Sequence, residues 1–102
     1  MIIEYIRYRI EAQAQGAFIE DYAKAFEYLR QSPVCLAYDL RKCEEEPELY
    51  ILRITWTTTE DHLRKFRGSL EFQGFLSHIR AYVPHIQEMR HYASTGHEWS
   101  RS

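Results

Sequence analysis

The stretch from Leu49 to Ile79 constrains the fold more than any other part of this sequence. It begins with Leu49–Trp56, where large side chains alternate with the period of two that is typical of a β-strand. One face carries Tyr50, Leu52, Ile54 and Trp56, and the other carries Leu49, Ile51, Arg53 and Thr55. Because both faces are mostly apolar, we predict an inner strand that is covered on both sides.

Two helices are predicted to follow this strand. Thr57 and Glu60 have the spacing of a capping box, in which a hydroxyl and a carboxylate each bond a free backbone N–H group, so the first helix should begin at Thr57. Gly68 should end this helix, and Ser69 should cap the second one. The second helix is predicted to continue up to Pro84, and its apolar stripe consists of Phe72, Leu76, Ile79 and Val83.

The rest of the chain contributes three more strands and one more helix. Alternating side chains predict strands over residues 2–10 and 34–43, and a more polar pattern predicts a last strand over residues 85–93 at an edge of the sheet. A helix is predicted from about Ala17 to Gln31. Its apolar stripe consists of Phe18, Tyr22, Phe26 and Leu29. The charged turn 44–47 should join the second and third strands as a hairpin.

Charged residues interrupt the first predicted strand. Glu4 lies on the same face as Ile2, Ile6, Tyr8 and Ile10, whereas Arg7 and Arg9 lie on the other face. A buried charge is costly unless it is paired, so each of these side chains should reach solvent, form an ion pair or point into a polar cavity. In the second strand, one face is predicted to carry Val34, Leu36, Tyr38 and Leu40.

The order of elements is β-α-β-β-α(α)-β, the split arrangement of ferredoxin-like α+β folds. We predict one domain over residues 1–93, a four-stranded antiparallel sheet with helices on one face, and a polar, disordered tail over residues 94–102. The other face would carry many tyrosine, isoleucine and leucine side chains. Since a bare apolar face on the order of several hundred Å² is not tolerated in water, we predict a homodimer whose sheets close face to face.

Composition and charge exclude several classes of partner. The formal net charge of −2, with acids and bases interspersed, provides no basic patch for nucleic acid or an anionic membrane. No apolar run approaches the roughly 20 residues of a transmembrane helix, and the N-terminus lacks the apolar core of a signal peptide. We therefore predict a cytoplasmic protein.

The two cysteines are predicted to be free thiols. If one extended strand holds both Cys35 and Cys43, they lie about 26 Å apart, which is beyond the reach of a disulfide. No Cys/His pair has the spacing of a zinc motif, so no metal site is predicted. No nucleotide-binding or metalloprotease motif is present either.

The runs LYILRITW, TTTEDHLRKFRG and SLEFQGFLSHI together resemble the core of the antibiotic biosynthesis monooxygenase family. The similar features are a strand that ends in Trp56, acidic residues and His62 that open the next helix, and Phe66-Arg67-Gly68-Ser69 followed by Phe72. Together with the element order, the likeness covers about residues 1–93. The resemblance implies a small dimeric α+β barrel like that of the quinol and anthrone monooxygenases.

The resemblance implies two kinds of activity. The family includes cofactor-independent oxygenases that act with O₂ on electron-rich aromatic substrates such as quinols, which implies a small aromatic substrate and no cofactor. It also contains heme-degrading enzymes with an Asn, Trp and His set. Here the position of that Trp looks like Phe66, and that of the His looks like Leu76 with His78 two residues on. The first strand has no Asn, which weakens the heme hypothesis.

A cofactor-independent oxygenase needs a base that removes a phenolic proton, and histidine suits this role because its unperturbed pKa lies near neutral. His62 and His78, on the two helices after the third strand, are the candidate catalytic residues because either side chain could point into a cleft between helices and sheet. An ordinary surface or core histidine is the alternative for each. His85 and His91 share one predicted strand face and are candidates for the dimer interface.

Aromatic side chains are candidates for the walls of a substrate pocket, although core packing alone would also account for them. They are Tyr22, Phe26, Trp56, Phe66, Phe72 and Phe75. Arg53 is a further candidate for substrate binding because it stands in an otherwise apolar strand. It is either the partner of a phenolate in the cavity or one half of an ion pair with an acid such as Glu4 or Asp39.

Two functions other than oxygen chemistry stay open at the level of sequence. The chain could be a non-catalytic dimeric module that binds a small ligand or a partner in the same cleft. That alternative predicts that Trp56 carries the affinity, whereas loss of His62 or His78 leaves it nearly unchanged. The other alternative is a heme-binding relative, which predicts that heme binding depends on His78.

Overall fold

The structure, a computed structural model, describes residues 1–102. It has a four-stranded antiparallel sheet with helices on one face, and this confirms the predicted ferredoxin-like α+β fold. The strands are β1 (Ile2–Arg9), β2 (Cys35–Lys42), β3 (Leu49–Trp56) and β4 (Ile86–Ala93). The helices are α1 (Gln15–Gln31), α2 (Thr59–Asp61), which continues as a π-helical segment over His62–Phe66, and α3 (Leu70–Ile79). Short 3₁₀ segments cover Ala12–Ala14 and Arg80–His85.

The strand order is β2-β3-β1-β4, which makes β3 an inner strand and β4 an edge strand. Both positions agree with the sequence pattern. The register places Glu4 of β1 opposite Ile54 of β3 on one side and opposite His91 of β4 on the other. These three residues therefore share the face of the sheet that the helices cover.

The core lies between this face and the helices. From β3 it takes Tyr50, Leu52, Ile54 and Trp56, and from α1 it takes Phe18, Tyr22, Ala25 and Leu29. Phe18 packs at its centre, with edge or tilted contacts of 5.0–5.1 Å between ring centroids to Tyr8, Tyr22, Tyr50 and Tyr82. Aromatic side chains thus make up much of the core, and some of them also line the cavity described below.

The helix after β3 begins one residue later than predicted. Thr58 is the cap, because its hydroxyl accepts the backbone N–H of Asp61 at 2.9 Å. The Thr57 hydroxyl instead donates to the Asp61 carboxylate at 2.6 Å, so the capping box predicted with Glu60 does not form. The predicted cap at Ser69 is confirmed, since its hydroxyl accepts the N–H of Phe72 at 3.1 Å.

Helix α3 ends at Ile79 rather than at Pro84. The segment Arg80–His85 tightens into a 3₁₀ helix that contains the proline. Pro84 has no N–H to donate to the carbonyl of Arg80, and its ring would clash with that carbonyl in an α-helix. The apolar spacing alone could not distinguish these two helix types.

A bulge in β2 changes the predicted faces of that strand. Cys35 pairs with Trp56 and Ala37 pairs with Thr55, so Leu36 is an extra residue in the ladder. Leu36 is 49% exposed and does not share the core-facing side with Tyr38 and Leu40, as the alternation had predicted. Cys35 and Cys43 are free thiols, which confirms the prediction.

The outer face of the sheet, which no helix covers, is more charged than the sequence predicted. Arg53 pairs with Asp39 at 2.5 Å and Arg7 pairs with Glu88 at 2.9 Å, and these ion pairs alternate with apolar side chains. None of the helices has the length and apolar character needed to cross a membrane. The tail after Ala93 contains no helix or strand, and Trp99 within it is 77% exposed.

A substitution at Gly68 tests the packing of the backbone just after the π-helical segment. A Cβ atom added there would lie 2.7 Å from the carbonyl oxygen of Arg64, a contact that only a backbone shift can relieve. We expect Gly68→Ala to lower the free energy of unfolding by about 1–3 kcal/mol, as overpacking does elsewhere. Urea titration followed by circular dichroism measures this change.

Gly16 supplies the matched control because a Cβ atom there would meet nothing within 4 Å. Gly16→Ala should be neutral or should stabilise helix α1 by up to about 1 kcal/mol. Equal stability of the two alanine variants would contradict the packing described at Gly68.

Candidate active site

A cavity of about 230 Å³ lies between the helix-covered face of the sheet and the helices. Its lining is mostly apolar, and the aromatic members are Tyr8, Tyr22, Trp56, Phe66, Phe72 and Phe75. Aliphatic residues of β1, β3, β4, α3 and the following 3₁₀ segment complete the walls. One acidic and two basic side chains also line it, namely Glu4, His62 and Arg67. An apolar cavity with a few convergent polar groups is the usual form of a small-molecule site.

Glu4 is a buried carboxyl group in this cavity. It is only 1% exposed, and the indole N–H of Trp56 donates to its Oε1 at 3.0 Å. This differs from the three outcomes predicted for the residue, because Glu4 neither reaches solvent nor pairs with a cation, and the cavity that it faces is largely apolar. Burial raises the pKa of Glu4, and the bond from Trp56 and the charge of Arg67 offset part of this rise.

His62 is held against Trp56 and next to Glu4. The imidazole stacks on the indole with ring centroids 4.3 Å apart and planes 11° apart. Its Nε2 lies 3.6 Å from Oε1 of Glu4, and its Nδ1 lies 2.8 Å from Nε2 of His91. Burial, together with Arg67 and His91, lowers the pKa of His62 to about 3. At neutral pH the imidazole is therefore uncharged.

His91 faces this cluster and not the outer face of the sheet. The sequence predicted that His85 and His91 share a strand face, but β4 begins at Ile86 and its ladder with β1 shifts register near Arg7 and Tyr8. His91 is instead the cross-strand neighbour of Glu4 and lies on the helix-covered side. The prediction that His85 and His91 share a strand face is therefore wrong.

Two tyrosine hydroxyls form a second polar point in the same cavity. Tyr8 and Tyr22 are fully buried and their hydroxyl groups bond each other. Burial raises the pKa of Tyr8 to about 12 and that of Tyr22 well above its usual value, so both hydroxyls stay protonated. Since Glu4 and Tyr8 are four residues apart on one strand, their Cα atoms lie about 13 Å apart. A ligand can thus meet polar groups at two separate points.

The cavity brings together six of the nine residues that the sequence proposed for the site. They are His62, Trp56, Tyr22, Phe66, Phe72 and Phe75. The structure places the other three elsewhere. His78 packs on Tyr28 with ring centroids 5.8 Å apart, and Phe26 stacks on Tyr38 at 4.1 Å.

Arg53 is the third residue outside the cavity. Its guanidinium donates to the carboxylate of Asp39 through both Nε and Nη2, at 2.5–3.2 Å, on the outer face of the sheet. This pairing lowers the pKa of Asp39. Of the two alternatives left open by the sequence, the structure therefore shows the ion pair and not a cavity residue.

Sequence reasoning did not assign Glu4, Tyr8, Arg67 or His91 to the site. A signal did exist for Glu4, because it interrupts an apolar strand face that ends up in the core. For His91 no such signal exists, since only the register between β1 and β4 brings it opposite Glu4.

Comparison with known proteins identifies one matching family and several solved structures with a similar fold. The sequence matches the family of antibiotic biosynthesis monooxygenases over residues 1–89. The uncharacterised protein YczJ of Bacillus subtilis is 26% identical over 92 residues, which cover 90% of this chain and 97% of YczJ.

Two solved structures illustrate the fold. SnoaB, a cofactor-independent oxygenase from Streptomyces nogalater, is 18% identical with a TM-score of 0.76 and 94% of each chain covered. Rv0793 from Mycobacterium tuberculosis is 15% identical with a TM-score of 0.73, covering 94% of this chain and 96% of its own. At such low identity the two likenesses concern the fold alone.

Proposed function

This chain belongs to the antibiotic biosynthesis monooxygenase family, and we propose that it is a cofactor-independent monooxygenase that acts on a small aromatic molecule of the quinol or anthrone type. The observation that supports this most is the pair of buried proton acceptors, Glu4 and His62, in an aromatic-lined cavity. That SnoaB, which has the same fold, is a cofactor-independent oxygenase adds support.

The cavity suits a flat, mainly apolar substrate with an acidic hydroxyl or an activated ring carbon. Its volume of about 230 Å³ lies below the usual range of roughly 300–1,000 Å³, which favours a small ring system. Trp56 and Phe66 contribute aromatic side chains to the lining. Because the Tyr8 and Tyr22 hydroxyls bond each other, one of the two protons remains available for donation to a substrate oxygen. A substrate with oxygen atoms at both ends would use both polar points.

The proposed reaction begins with loss of a proton from the substrate to the cluster of Glu4 and His62. The electron-rich anion that remains reduces O₂, and one oxygen atom bonds to the activated ring carbon. For a ring CH₂ group, oxidation to C=O removes four electrons and two hydrogens. These reduce O₂ to the new carbonyl oxygen and one water molecule, so the reaction balances without an external reductant. General base catalysis of the first step contributes typically 10²–10⁴-fold to such rates.

Oxygen uptake by the purified protein tests this function. A panel of hydroquinones and anthrones, supplied in an oxygen-electrode cell, should include at least one compound that is consumed at a rate proportional to enzyme concentration. One O₂ should disappear for each molecule of oxidised product. A flat trace with every compound of the panel would overturn the proposal.

A non-catalytic binding module is the second candidate, and one observation favours it. The low pKa of His62 makes its imidazole a weak base, and its Nδ1 already contacts His91. Such a module would bind the same aromatic compounds in the cavity without taking up oxygen. The heme-binding hypothesis gains no comparable support, because His78, on which it depends, lies outside the cavity.

We further propose that the chain forms a homodimer through the outer face of its sheet. A depression of about 350 Å³ there is lined by Tyr5, Arg7, Ile51, Glu88 and Tyr92. This lining combines apolar side chains with the Arg7–Glu88 ion pair, a composition that suits an interface between two copies.

Ile51→Lys should therefore convert the dimer into a monomer. The new charge would lie beside Arg7, its cross-strand neighbour, in both copies and would repel it. Analytical ultracentrifugation at micromolar concentration measures the change. Ile19→Lys, at an exposed position of α1 on the helical side, is the matched control and should remain dimeric. A wild-type protein that sediments as a monomer would overturn this proposal.

A further inference from the structure

We propose that Glu4, His62 and His91 form a binding site for a divalent transition-metal ion at one end of the cavity. One ligand atom from each of these three residues lies within 4.8 Å of the other two. The residues come from three different elements, β1, the π-helical segment and β4. The spacing of metal motifs in the sequence could not reveal this group, because 29 residues separate the two histidines and Glu4 is distant from both.

The separations between the ligand atoms suit an ion after small movements. Zinc-like ions bind imidazole nitrogen and carboxylate oxygen at about 2.0–2.2 Å, which puts ligand atoms roughly 3.0–3.4 Å apart. In the structure, His62 lies 3.6 Å from Glu4 and 2.8 Å from His91. Glu4 lies near Nε2 of His62, whereas His91 lies near Nδ1. An ion can bind only one of these two nitrogens, so the residue beside the other nitrogen, either Glu4 or His91, would have to rotate toward the ion.

The chemistry of the three ligands selects the class of ion. Imidazole suits Zn²⁺, Fe²⁺, Co²⁺, Ni²⁺ and Cu²⁺, whereas Mg²⁺ and Ca²⁺ prefer oxygen ligands. Two histidines with one carboxylate leave coordination positions open, and here they would lie on the side of the cavity that Glu4 and His62 line. Water or a substrate oxygen would fill them.

Neighbouring residues already orient two of the ligands. The Trp56 indole donates to Glu4 and stacks on His62, which is the kind of outer contact that fixes ligands in metal sites. Arg67 opposes the binding of a cation, because its own positive charge lies close enough to lower the pKa of both histidines. Its side chain is exposed, so solvent screens part of this repulsion.

Titration of the purified full-length protein with Co²⁺ tests the site directly, after dialysis against a chelator and then against metal-free buffer. We expect visible absorption bands that saturate at one Co²⁺ per chain. His91→Ala should weaken binding by more than about tenfold, since it removes one of three ligands. This variant suits the test because His91 lies on an edge strand and is only half-buried, so the fold should survive. An unfolding curve checks that it does.

Two further variants sharpen the result. His85→Ala removes an exposed histidine outside the cavity and should leave the Co²⁺ titration unchanged. Arg67→Gln removes the opposing charge and should tighten binding. The proposal is overturned if no saturable one-to-one binding occurs below about 1 mM Co²⁺, or if folded His91→Ala binds as tightly as wild type.

This inference does not rest on the proposed function, since the titration needs no substrate. Glu4 and His62 cannot ligate an ion and accept a substrate proton at the same time, so the metal-bound and metal-free forms of the cluster would differ in activity. Metal binding without oxygen uptake would support the site and overturn the monooxygenase. Oxygen uptake that a chelator leaves unchanged, in a protein that binds no Co²⁺, would do the reverse.

Discussion

Glu4→Gln is expected to lower kcat/KM for the best aromatic substrate by about 10²–10⁴-fold, the usual contribution of a positioned base. The amide keeps the size of the side chain, and its carbonyl oxygen can still accept the bond from Trp56. It cannot take up the substrate proton. Because the variant replaces a buried ionisable group by a neutral one, the loss of activity should not reflect unfolding.

Initial rates of oxygen uptake measure this effect, and Glu20→Gln on the exposed side of α1 provides the control. His62→Phe, which keeps an aromatic ring against Trp56, should cause a loss of similar size. The double variant should be little worse than either single one, because residues that act as a unit are not additive. If the Glu4→Gln variant kept the wild-type rate, the Glu4 carboxylate would not be the group that accepts the substrate proton.

Trp56→Ala should reduce the free energy of unfolding by about 3–5 kcal/mol, the typical cost of truncating a buried aromatic residue. The indole is fully buried and contacts His62 and Phe66 through its ring and Glu4 through its N–H group. Its loss would open a void and would leave the Glu4 carboxyl without its hydrogen-bond donor. Urea unfolding followed by circular dichroism gives the value.

Trp56→Phe separates the two contributions. It keeps most of the aromatic packing but removes the N–H donor, so the cost should fall to about 1–3 kcal/mol for the unsatisfied buried acceptor. Trp99→Ala, at the exposed tryptophan of the tail, should change stability by no more than about 0.5 kcal/mol. A loss below about 1 kcal/mol for Trp56→Ala would contradict the packing described here.

The sequence predicted the sheet and its helices because hydrophobic periodicity reports which residues face the core. In β3 the alternation correctly placed Trp56 and Arg53 on opposite faces of the strand. The prediction that both bind substrate did not follow from this pattern, and Arg53 lies outside the cavity that Trp56 lines. Local details escaped the pattern. Neither the bulge at Leu36 nor the 3₁₀ turn at Pro84 alters the spacing of apolar residues enough to be recognised in advance.

The candidate site was only partly predictable for a different reason. His62, Trp56 and Phe66 lie in one short run of sequence, so their meeting in space follows from one strand and one helix. Glu4 and His91 join them only through the register of two strand pairs. No local pattern encodes that register, and the buried carboxyl became visible as part of a site only in three dimensions.

Nuclear magnetic resonance of the indole N–H groups tests most directly whether the helix-side cavity is the binding site. The chain has two tryptophans, Trp56 in the cavity and Trp99 in the tail, so it gives two indole signals that report on different regions. On titration with a hydroxyanthrone, the signal of Trp56 should shift and saturate, while that of Trp99 should stay in place. An unmoved Trp56 signal, together with shifts of the backbone amide signals of Tyr5 and Tyr92 on the outer face, would contradict the account.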